Sequence, residues 1–352
     1  MIYTEKQQAA IDSRDTNLLI LACAGSGKTE VISRRIAKLV EEGTLKSSII
    51  AFTFTERAAN ELKARIRFHL EQLQPDDPSL GDMYVGTIHS FCLHLLKEID
   101  PNYRKYEVMD EARQAALIMT QFNYADGINK GIGLNRLRHR SRNGGYWNTV
   151  GSFINTLNVI HQNNISLESI SDIELRLAVE RYRQIAHGPP NYFLDFDQII
   201  NELLVKLKTS PAELENVRNK FKHLVVDEYQ DVDDRQEELI ALISNYGKDV
   251  AVTAVGDDDQ AIYGWRGAKV DNILNFEKRY YPVTKIEVTS NFRSTHAIVE
   301  IANNAIRIIP PGKRWPKDMV ARHCDATTRP PKFVETLAEK GDVQLRTFES
   351  DE

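Results

Sequence analysis

The chain has 352 residues, of which 42% are hydrophobic and 27% charged, and its formal net charge is −5. A chain of this length can bury a large core and form two or three domains, and this composition excludes a disordered or fibrous protein. The negative net charge does not exclude a nucleic-acid partner, because much of the acid is concentrated in residues 227–238 and bases collect elsewhere.

The cysteines and the apolar runs bear on the cellular compartment. Cys23, Cys92 and Cys324 have neither metal-ligand spacing nor partners close in sequence, which favours a reducing compartment. No apolar run approaches the ~20 residues needed to span a bilayer, and the first residues lack the order of a signal peptide. We therefore expect a cytoplasmic protein with no membrane partner.

A glycine-rich loop follows the first apolar run, at residues 22–29, which read Ala-Cys-Ala-Gly-Ser-Gly-Lys-Thr. In this pattern glycines let peptide N–H groups approach a polyphosphate, the lysine neutralises its charge and the Thr29 hydroxyl reaches Mg²⁺. Ala22 replaces the first glycine of the usual pattern. We predict that ATP binds here, through Ala24, Gly25, Ser26, Gly27, Lys28 and Thr29.

Short β-branched runs alternate with helical patterns along much of the chain. Buried parallel strands are predicted at residues 18–22, 49–54, 84–87, 223–226 and 250–255. Thr55 is the predicted N-cap of a helix whose apolar residues, between 58 and 70, pack on the sheet. The alternation indicates an α/β fold with a parallel sheet and helical crossovers.

Residues 106–190 interrupt this alternation. Helical patterns at 112–122, 153–161 and 175–186 are joined by loops rich in glycine and asparagine, with chain breakers at either end. We predict an inserted helical domain, after which a helical pattern at 194–207 leads back to the sheet. Beyond residues 310–312 the chain is polar and irregular as far as Lys332, which predicts a surface linker, and residues 342–348 are typical of one more strand.

Two carboxylate residues, Asp227 and Glu228, directly follow the apolar run 223–226. An isolated Asp-Glu pair is typical of a solvated surface, but the buried strand before it places both side chains at the carboxyl edge of the sheet. We predict that Asp227 holds Mg²⁺ opposite Thr29, and that Glu228 accepts a proton from the water that attacks the γ-phosphate.

An amide, two aromatic residues and an arginine follow the strand predicted at 250–255. Gln260 is placed to sense a phosphate, Tyr263 and Trp265 to stack on nucleobases, and Arg266 to pair with a phosphate of a single strand. Partly buried packing is the alternative for two aromatic side chains beside an arginine.

Basic residues occur in two further places. One cluster precedes Tyr146 and Trp147 in the predicted insertion and consists of Arg136, Arg138, His139, Arg140 and Arg142. The cluster is consistent with binding to the phosphates of a duplex and equally with a solvated charged loop, and both interpretations stay open. Arg34 and Arg35, on the first helix after the glycine-rich loop, are expected on a solvated face.

In chain order, these segments resemble the motifs of the UvrD/Rep-type DNA helicases of superfamily 1A, and the resemblance extends over the whole chain. It implies that Gln7 reads adenine, that Phe292 stacks on it, and that Arg293 touches the γ-phosphate as a catalytic group beside Lys28, Glu228 and Gln260. A single-strand track is implied at Thr53, Phe54, Thr55, Thr87 and His89, continued by Tyr263, Trp265 and Arg266. Two residues depart from the family pattern: Glu30 replaces a basic residue, and Phe292 stands where tyrosine is commoner.

The resemblance also implies an architecture, a RecA-like P-loop NTPase sheet with an inserted α-helical domain. Residues 1–105 and 191–309 would form the ATP-binding lobe (1A), residues 106–190 the insertion (1B), and residues 310–352 a linker and the start of a second lobe. The later helicase motifs are not found after Arg293. We therefore expect a fragment of a longer protein, with weak hydrolysis in the absence of the second lobe's arginine.

The implied function is that of an ATP-dependent DNA helicase or translocase moving 3′ to 5′. ATP and Mg²⁺ would bind to it, and its partners would be single-stranded DNA, single/double-strand junctions and a second RecA-like lobe downstream. A nucleotide-controlled DNA- or partner-binding module without motor activity is the alternative. A motor subunit joined to a nuclease is less consistent with the sequence, since no nuclease carboxylate pattern is visible. A kinase would not require the paired aromatic residues.

Overall fold

The structure is a computed structural model that describes residues 2–14, 17–123, 131–138, 145–162, 165–310 and 312–322, without the side chains of residues 161, 162, 197 and 266. As far as the residues are described, the chain forms two compact units. Met1–Ile88 and Glu215–Glu352 make up the first, here called the sheet unit, and residues 89–214 make up the second, here called the helical unit.

The first part of the sheet unit contains α1 (Glu5–Asp12), β1 (Asn17–Ala22), α2 (Lys28–Glu41), β2 (Ile49–Thr53), α3 (Glu56–Leu73) and β3 (Tyr84–Thr87). The chain then passes through α4 (Ile88–Ile99), β4 (Glu107–Val108), α5 (Glu111–Thr120), α6 (Tyr146–Gln162), α7 (Ile173–His187), β5 (Phe193–Leu194), α8 (Phe196–Thr209) and α9 (Pro211–Lys220). It returns to the sheet unit with β6 (His223–Val226), α10 (Asp234–Ser244), β7 (Ala251–Gly256), α11 (Val270–Leu274), α12 (Phe276–Arg279), β8 (Val283–Val288), β9 (Ser290–Asn291), α13 (His296–Ile306) and β10 (Val320–Ala321).

Six strands form the central sheet in the order β3-β2-β6-β7-β1-β8, and each neighbouring pair is parallel. Every residue of β1 and β2 is buried, as in strands that helices cover on both faces. The predicted α/β fold with a parallel sheet is confirmed. Because the carboxyl ends of parallel strands meet at one edge, the segments after β1, β2, β6, β7 and β8 all begin at the same side of the sheet.

Strand β8 was not predicted from the sequence. It pairs with β1 from Asn17 opposite Val283 to Ala22 opposite Val288, at the edge of the sheet. Of its residues only Val288 is buried, so the strand lacks the continuous apolar run by which the inner strands are recognised.

Helices α1 and α2 correct one expectation. Arg35, expected on a solvated face, is 2% exposed, and its guanidinium donates to the carbonyl oxygens of Ala10, at 3.1 Å, and Ser13. Both carbonyls belong to the last turn and the end of α1, whose carbonyl groups lack partners within the helix. The side chain of Arg35 therefore holds α1 against α2 rather than facing water.

The helical unit has its own apolar core, built mainly by α5, α6 and α7 around Ile118, Phe153, Leu157 and Val179. The buried Gln114 amide of α5 donates to the Tyr182 hydroxyl of α7 at 2.9 Å. Strands β4 and β5 form a parallel pair that sets Glu107 opposite Phe193, so the segments before and after the core helices run side by side. Among the described helices, none is both long and apolar enough to cross a membrane.

Candidate functional site

The glycine-rich loop between β1 and α2 is held through three consecutive carbonyl groups. The Ala24 carbonyl accepts from the Asn291 side-chain amide at 2.7 Å, and the Gly25 carbonyl accepts from the Phe292 peptide N–H at 2.9 Å. The Ser26 carbonyl accepts from the Gln7 amide at 2.9 Å. The N–H groups of the first turn of α2 have no partner within the helix, and at this position they can bind an anion.

Glycine is required at two positions of this loop. Gly25 has a φ of +67°, and a Cβ atom there would lie 2.7 Å from the Arg293 Cβ. Gly27, the N-cap of α2, has a φ of +82°, and a Cβ atom there would lie 3.2 Å from the Gln7 amide nitrogen. Both positions combine a left-handed backbone with close neighbours, which only glycine accommodates without strain.

Lys28 and Glu228 are 200 residues apart in sequence but in direct contact, with the lysine ammonium 2.7 Å from the carboxylate. The same carboxylate oxygen accepts from the side-chain amide of Gln230 at 2.8 Å. Glu228 has a φ of +52°, an uncommon conformation for a non-glycine residue that turns the chain sharply after β6. The structure thus brings the predicted phosphate-binding lysine and the predicted base together.

Asp227 directly follows β6 and is 9% exposed. Burial, together with the negative charge of Glu228, raises the pKa of Asp227 to about 7. A divalent cation beside this carboxylate would favour its ionised form, so a buried aspartate with a raised pKa fits the chemistry of a magnesium ligand. Thr29, in the first turn of α2, supplies the second predicted oxygen ligand.

Glu30, the residue that departs from the family pattern, lies in a cluster of polar side chains. Its carboxylate accepts from the Tyr3 hydroxyl at 2.8 Å and pairs with Arg65 at 3.4 Å. The Nε2 atom of His69 lies 3.1 Å from the same carboxylate, and burial lowers the pKa of this histidine. Burial and the hydrogen bond to Glu30 raise the pKa of Tyr3 to about 12. Glu30 therefore joins the segment before α1 to α2 and α3, next to the loop that Gln7 contacts.

The segment after β8 carries the other predicted nucleotide contacts. Besides contacting the loop, Asn291 accepts from the peptide N–H groups of Arg293, at 2.9 Å, and Ser294, at 2.7 Å. These bonds fix the turn on which Phe292, 38% exposed, and the exposed Arg293 stand. Both side chains are therefore presented beside the glycine-rich loop.

The end of β7 continues the network of Glu228. The Gln230 side-chain oxygen accepts from the Asp257 peptide N–H at 2.9 Å, and the Asp257 carboxylate accepts from the Gln260 amide at 2.6 Å. An unbroken chain of hydrogen bonds thus runs from Lys28 through Glu228, Gln230 and Asp257 to Gln260.

Three aromatic side chains predicted to contact DNA lie next to one another in the sheet unit. The rings of Phe54 and Tyr263 are stacked with centroids 5.4 Å apart, and Tyr263 and Trp265 are 6.3 Å apart. Trp265 is 75% exposed, so the alternative of partly buried packing does not describe this residue. The side chain of Arg266 lies outside the described part of the structure.

The predicted threonine contacts make hydrogen bonds within the protein. The Thr53 hydroxyl donates to the Thr55 carbonyl at 3.1 Å, and the Thr55 hydroxyl caps α3 by accepting from the Ala58 N–H at 3.1 Å. Thr87 donates to Glu56 at 3.2 Å. Thr53 is also buried, so Thr55 and Thr87 are the more accessible pair.

His89 lies in the helical unit, where its ring meets that of Phe196 edge-on at 5.1 Å. Burial lowers the pKa of His89 to about 4 and keeps the ring neutral. Phe196 begins α8 and is 42% exposed, a solvent-facing aromatic residue that the sequence analysis did not single out. Its sequence signal is weak, because an aromatic residue at the start of an amphipathic helix looks like part of the core.

The basic cluster of the insertion is described only in part. Arg136 pairs with Glu174 at 3.4 Å, and Trp147 is 69% exposed. His139, Arg140 and Arg142 lie outside the described residues.

Comparison with known proteins shows the family of the chain. A sequence model of the UvrD/REP helicase N-terminal domain matches residues 3–281, which include the glycine-rich loop, Glu228 and Trp265. The chain belongs to the UvrD/REP helicase family. Within this family it is similar to the ATP-dependent DNA helicase PcrA of Staphylococcus epidermidis, with 33% identity over 310 residues, and to that of Staphylococcus aureus, with 32% identity over the same length.

These matches cover 86% of this chain but 39% of each PcrA protein. The chain thus spans about two fifths of the length of the curated relatives it matches. The UvrD/REP match ends at residue 281, so Phe292, Arg293 and the segment that follows α13 lie beyond it.

Proposed function

We propose that the sheet unit binds MgATP and that the complete protein hydrolyses ATP to move along single-stranded DNA. The observation that carries this proposal is the contact of Lys28 with Glu228, on the same unit as the stacked aromatic residues after β2 and β7. The direction, 3′ to 5′, rests on the family resemblance alone.

Phosphate binding follows from the glycine-rich loop. The N–H groups at the start of α2 and the Lys28 ammonium are the donors that a triphosphate needs, and Arg293 stands close to Gly25 on the other side of the loop. The adenine would lie near Gln7 and between the loop and Phe292. Since the Gln7 amide nitrogen already donates to Ser26, its contact with the base requires a change of partner.

For hydrolysis, Glu228 must give up its ion pair with Lys28 and bind a water molecule instead. A triphosphate competes with Glu228 for the Lys28 ammonium, and once the lysine turns to the phosphates the Gln230 amide still holds the carboxylate in place. The Glu228 carboxylate, no longer paired with the lysine, then accepts the proton of a water molecule as that water attacks the γ-phosphorus. Gln260, held by Asp257, is the proposed sensor of that phosphate.

Thr29 and Asp227 are the proposed magnesium ligands. The ion would neutralise charge on the phosphate oxygens of the substrate. Asp227 accepts from the Glu228 peptide N–H at 3.0 Å, which fixes one oxygen of the carboxylate relative to the proposed base.

Single-stranded DNA would contact Phe54, Tyr263 and Trp265 in the sheet unit. Stacking on aromatic rings holds bases without reading their sequence, in agreement with a motor that moves over any sequence. Thr55 and Thr87 would contact the backbone of the strand.

The first test is binding of MgATP to the 352-residue chain, measured by titration calorimetry, with Lys28→Ala as the variant. We expect the variant to lose at least about tenfold in affinity, because a charge-assisted contact to phosphate is removed. Lys38→Ala is the matched control, since Lys38 lies on the same helix but pairs with Asp12. Equal affinities for the wild type and Lys28→Ala would refute the nucleotide site.

The second test separates a motor from a nucleotide-controlled binding module. Hydrolysis is measured with and without oligo(dT) on the complete protein, for the wild type and Glu228→Gln. Hydrolysis that DNA stimulates and Glu228→Gln abolishes supports the motor. Tight nucleotide binding without turnover, equal in both proteins, supports the alternative module.

A further inference from the structure

A buried ion cluster lies at the carboxyl end of β7, where three consecutive acidic residues, Asp257, Asp258 and Asp259, surround Lys317. The Lys317 ammonium is 3.1, 2.5 and 2.8 Å from their respective carboxylates. The side chain of Lys317 is fully buried, and none of the three carboxylate side chains is more than 7% exposed. Buried charges at this density are stable only when they are paired, because the loss of hydration is otherwise uncompensated.

The partner residues come from the segment after α13, residues 312–322, here called the return segment. Besides Lys317, it supplies Arg314, which forms a bidentate pair with Asp259 at 2.8 and 2.9 Å. The Trp315 peptide N–H donates to Asp258 at 2.7 Å. The sequence predicted a surface linker here, but these contacts join the return segment to the end of β7.

The acidic cluster also holds the proposed phosphate sensor. One oxygen of Asp257 faces Lys317, and the other accepts from the Gln260 amide at 2.6 Å. The Asp257 peptide N–H donates to Gln230, which in turn donates to Glu228. The position of Asp257 therefore determines the position of Gln260 and is linked to the proposed base.

Space for a movement of the sensor is present beside these residues. A cavity of about 190 Å³ lies between the glycine-rich loop and α13, and Gln260, Asp257 and Lys317 are part of its wall together with Cys23 and Ala302. The aromatic residues Tyr263 and Trp265 follow Gln260 within five residues. A shift of the loop at Gln260 would thus reach the proposed DNA contacts directly.

We infer that Lys317 is a positioning residue that holds the acidic loop at the end of β7, and through Asp257 sets the Gln260 amide for reading the γ-phosphate. Without this ammonium, Asp259 would keep its pair with Arg314, but the buried carboxylates of Asp257 and Asp258 would lose their shared cation. Asp257 would also lose a contact that fixes its orientation. The inference rests on the proposed function for the role of Gln260 but not for the geometry of the cluster.

The test compares four forms of the full chain: wild type, Lys317→Met, the double variant Lys317→Met/Asp258→Asn, and Lys313→Met. Methionine keeps the length of the lysine and removes its charge, and Asp258→Asn removes one of the carboxylates that the charge balances. Lys313 is an exposed lysine of the same return segment and is the matched control. Amide hydrogen exchange is followed in a peptide covering residues 256–263, and in peptides from β1 and α7.

We expect Lys317→Met to lower the protection of residues 256–263 by about tenfold, with β1 and α7 unchanged, since a local opening exchanges independently of the rest. The double variant should recover most of the protection, and Lys313→Met should match the wild type. Unchanged protection in Lys317→Met, or no recovery in the double variant, would overturn the inference. An equal loss in all three peptides would do so as well, because it indicates general unfolding.

The catalytic readout, measured on the complete protein with the same substitutions, is the rate of hydrolysis with oligo(dT), set against the KM for ATP. Lys317→Met should lower kcat on the order of tenfold to a hundredfold, as expected for a misplaced group, and leave KM within about threefold. A rise in KM at unchanged kcat would contradict a role through Gln260. If the wild type binds no MgATP, the proposed function fails, and the exchange comparison still decides whether Lys317 holds the loop.

Discussion

Glu228 shows how much one residue of this site depends on its neighbours. Its left-handed backbone, with φ at +52°, turns the carboxylate toward Lys28 immediately after β6. Such conformations cost on the order of 1–3 kcal/mol and persist where the surrounding structure holds them, often at functional sites. Here the Gln230 amide and the Lys28 ammonium hold the side chain.

At the residue scale, the glycine-rich loop offers a sharp test in Gly25→Ala. The new Cβ would lie 2.7 Å from the Arg293 Cβ and 3.0 Å from the Asn291 amide, so the loop must move away from the segment that holds it. We expect MgATP affinity to fall by at least about tenfold, since the N–H groups would no longer converge on a phosphate.

Gly43→Ala is the control for this prediction. Gly43 also has a positive φ, +100°, but no atom lies within 4 Å of a Cβ placed there. The control should lower stability by about 1–2 kcal/mol through backbone strain and leave nucleotide affinity unchanged. Equal losses of affinity in Gly25→Ala and Gly43→Ala, measured by calorimetry, would show that strain alone is responsible.

The residues of the site differ in how far the sequence predicts them. Lys28, Asp227 and Glu228 stand in short motifs whose spacing relative to a strand or helix already indicates their chemistry, and the structure places Lys28 beside Glu228. Lys317 and Arg35 carry no such local signal. Their burial depends on charges or carbonyl groups supplied by other segments, so a local pattern predicts a solvated side chain for each.

At the scale of elements, β7 and the loop after it join the two proposed sites. Asp257 and Gln260 follow the strand on the side of Glu228, and Tyr263 and Trp265 come next in the chain. One short segment thus contacts both the phosphate network and the stacked rings. An edge strand such as β8 has no such motif and only partial burial, which is why the sequence did not predict it.

Trp265→Ala is the prediction that belongs to this loop. If this exposed ring stacks on a base as proposed, its removal should weaken binding of oligo(dT) by about 1–3 kcal/mol, while MgATP affinity stays unchanged. Phe68→Ala is the matched control, because Phe68 is also an exposed aromatic residue of the sheet unit, at 54%, but lies on α3. Fluorescence anisotropy of labelled oligo(dT) measures both, and an equal loss in the two variants would count against a specific track.

At the scale of the whole molecule, each unit contains a partly buried histidine whose pKa is lowered. His89 lies in the helical unit, and burial lowers its pKa to about 4. In the sheet unit, burial and the charges of Arg35 and Arg14 lower the pKa of His223 from 6.5 to about 4. Between pH 4 and pH 6.5 the unfolded chain therefore binds more protons than the folded one. The contribution of these neutral rings to the free energy of unfolding is full above pH 6.5 and falls as the pH drops toward 4.

For His223 alone this linkage amounts to roughly 2 kcal/mol between pH 7 and pH 5. His223→Asn should therefore lose about 2 kcal/mol less stability over this interval than the wild type, measured by urea unfolding with the fluorescence of Trp265 and Trp315 in a Trp147→Phe background. The raised pKa of Asp227 acts in the opposite direction, but equally in both proteins, and cancels.

His296→Asn, an exposed histidine of the sheet unit, is the control and should keep the wild-type dependence on pH. An identical pH dependence in His223→Asn and the wild type would show that the ring of His223 takes up its proton without unfolding.

The ion pair of Lys28 and Glu228 has a consequence for the resting protein. While Lys28 and Glu228 are paired, the Glu228 carboxylate is not available as a base for water. The positive charge of Lys28, which would attract phosphate, is neutralised by the same pair. Binding of a triphosphate would separate the lysine from the carboxylate, which would keep its hydrogen bond to Gln230. In this arrangement Glu228 could act as a base only after a triphosphate has bound to Lys28, so hydrolysis would not begin on an incompletely bound substrate.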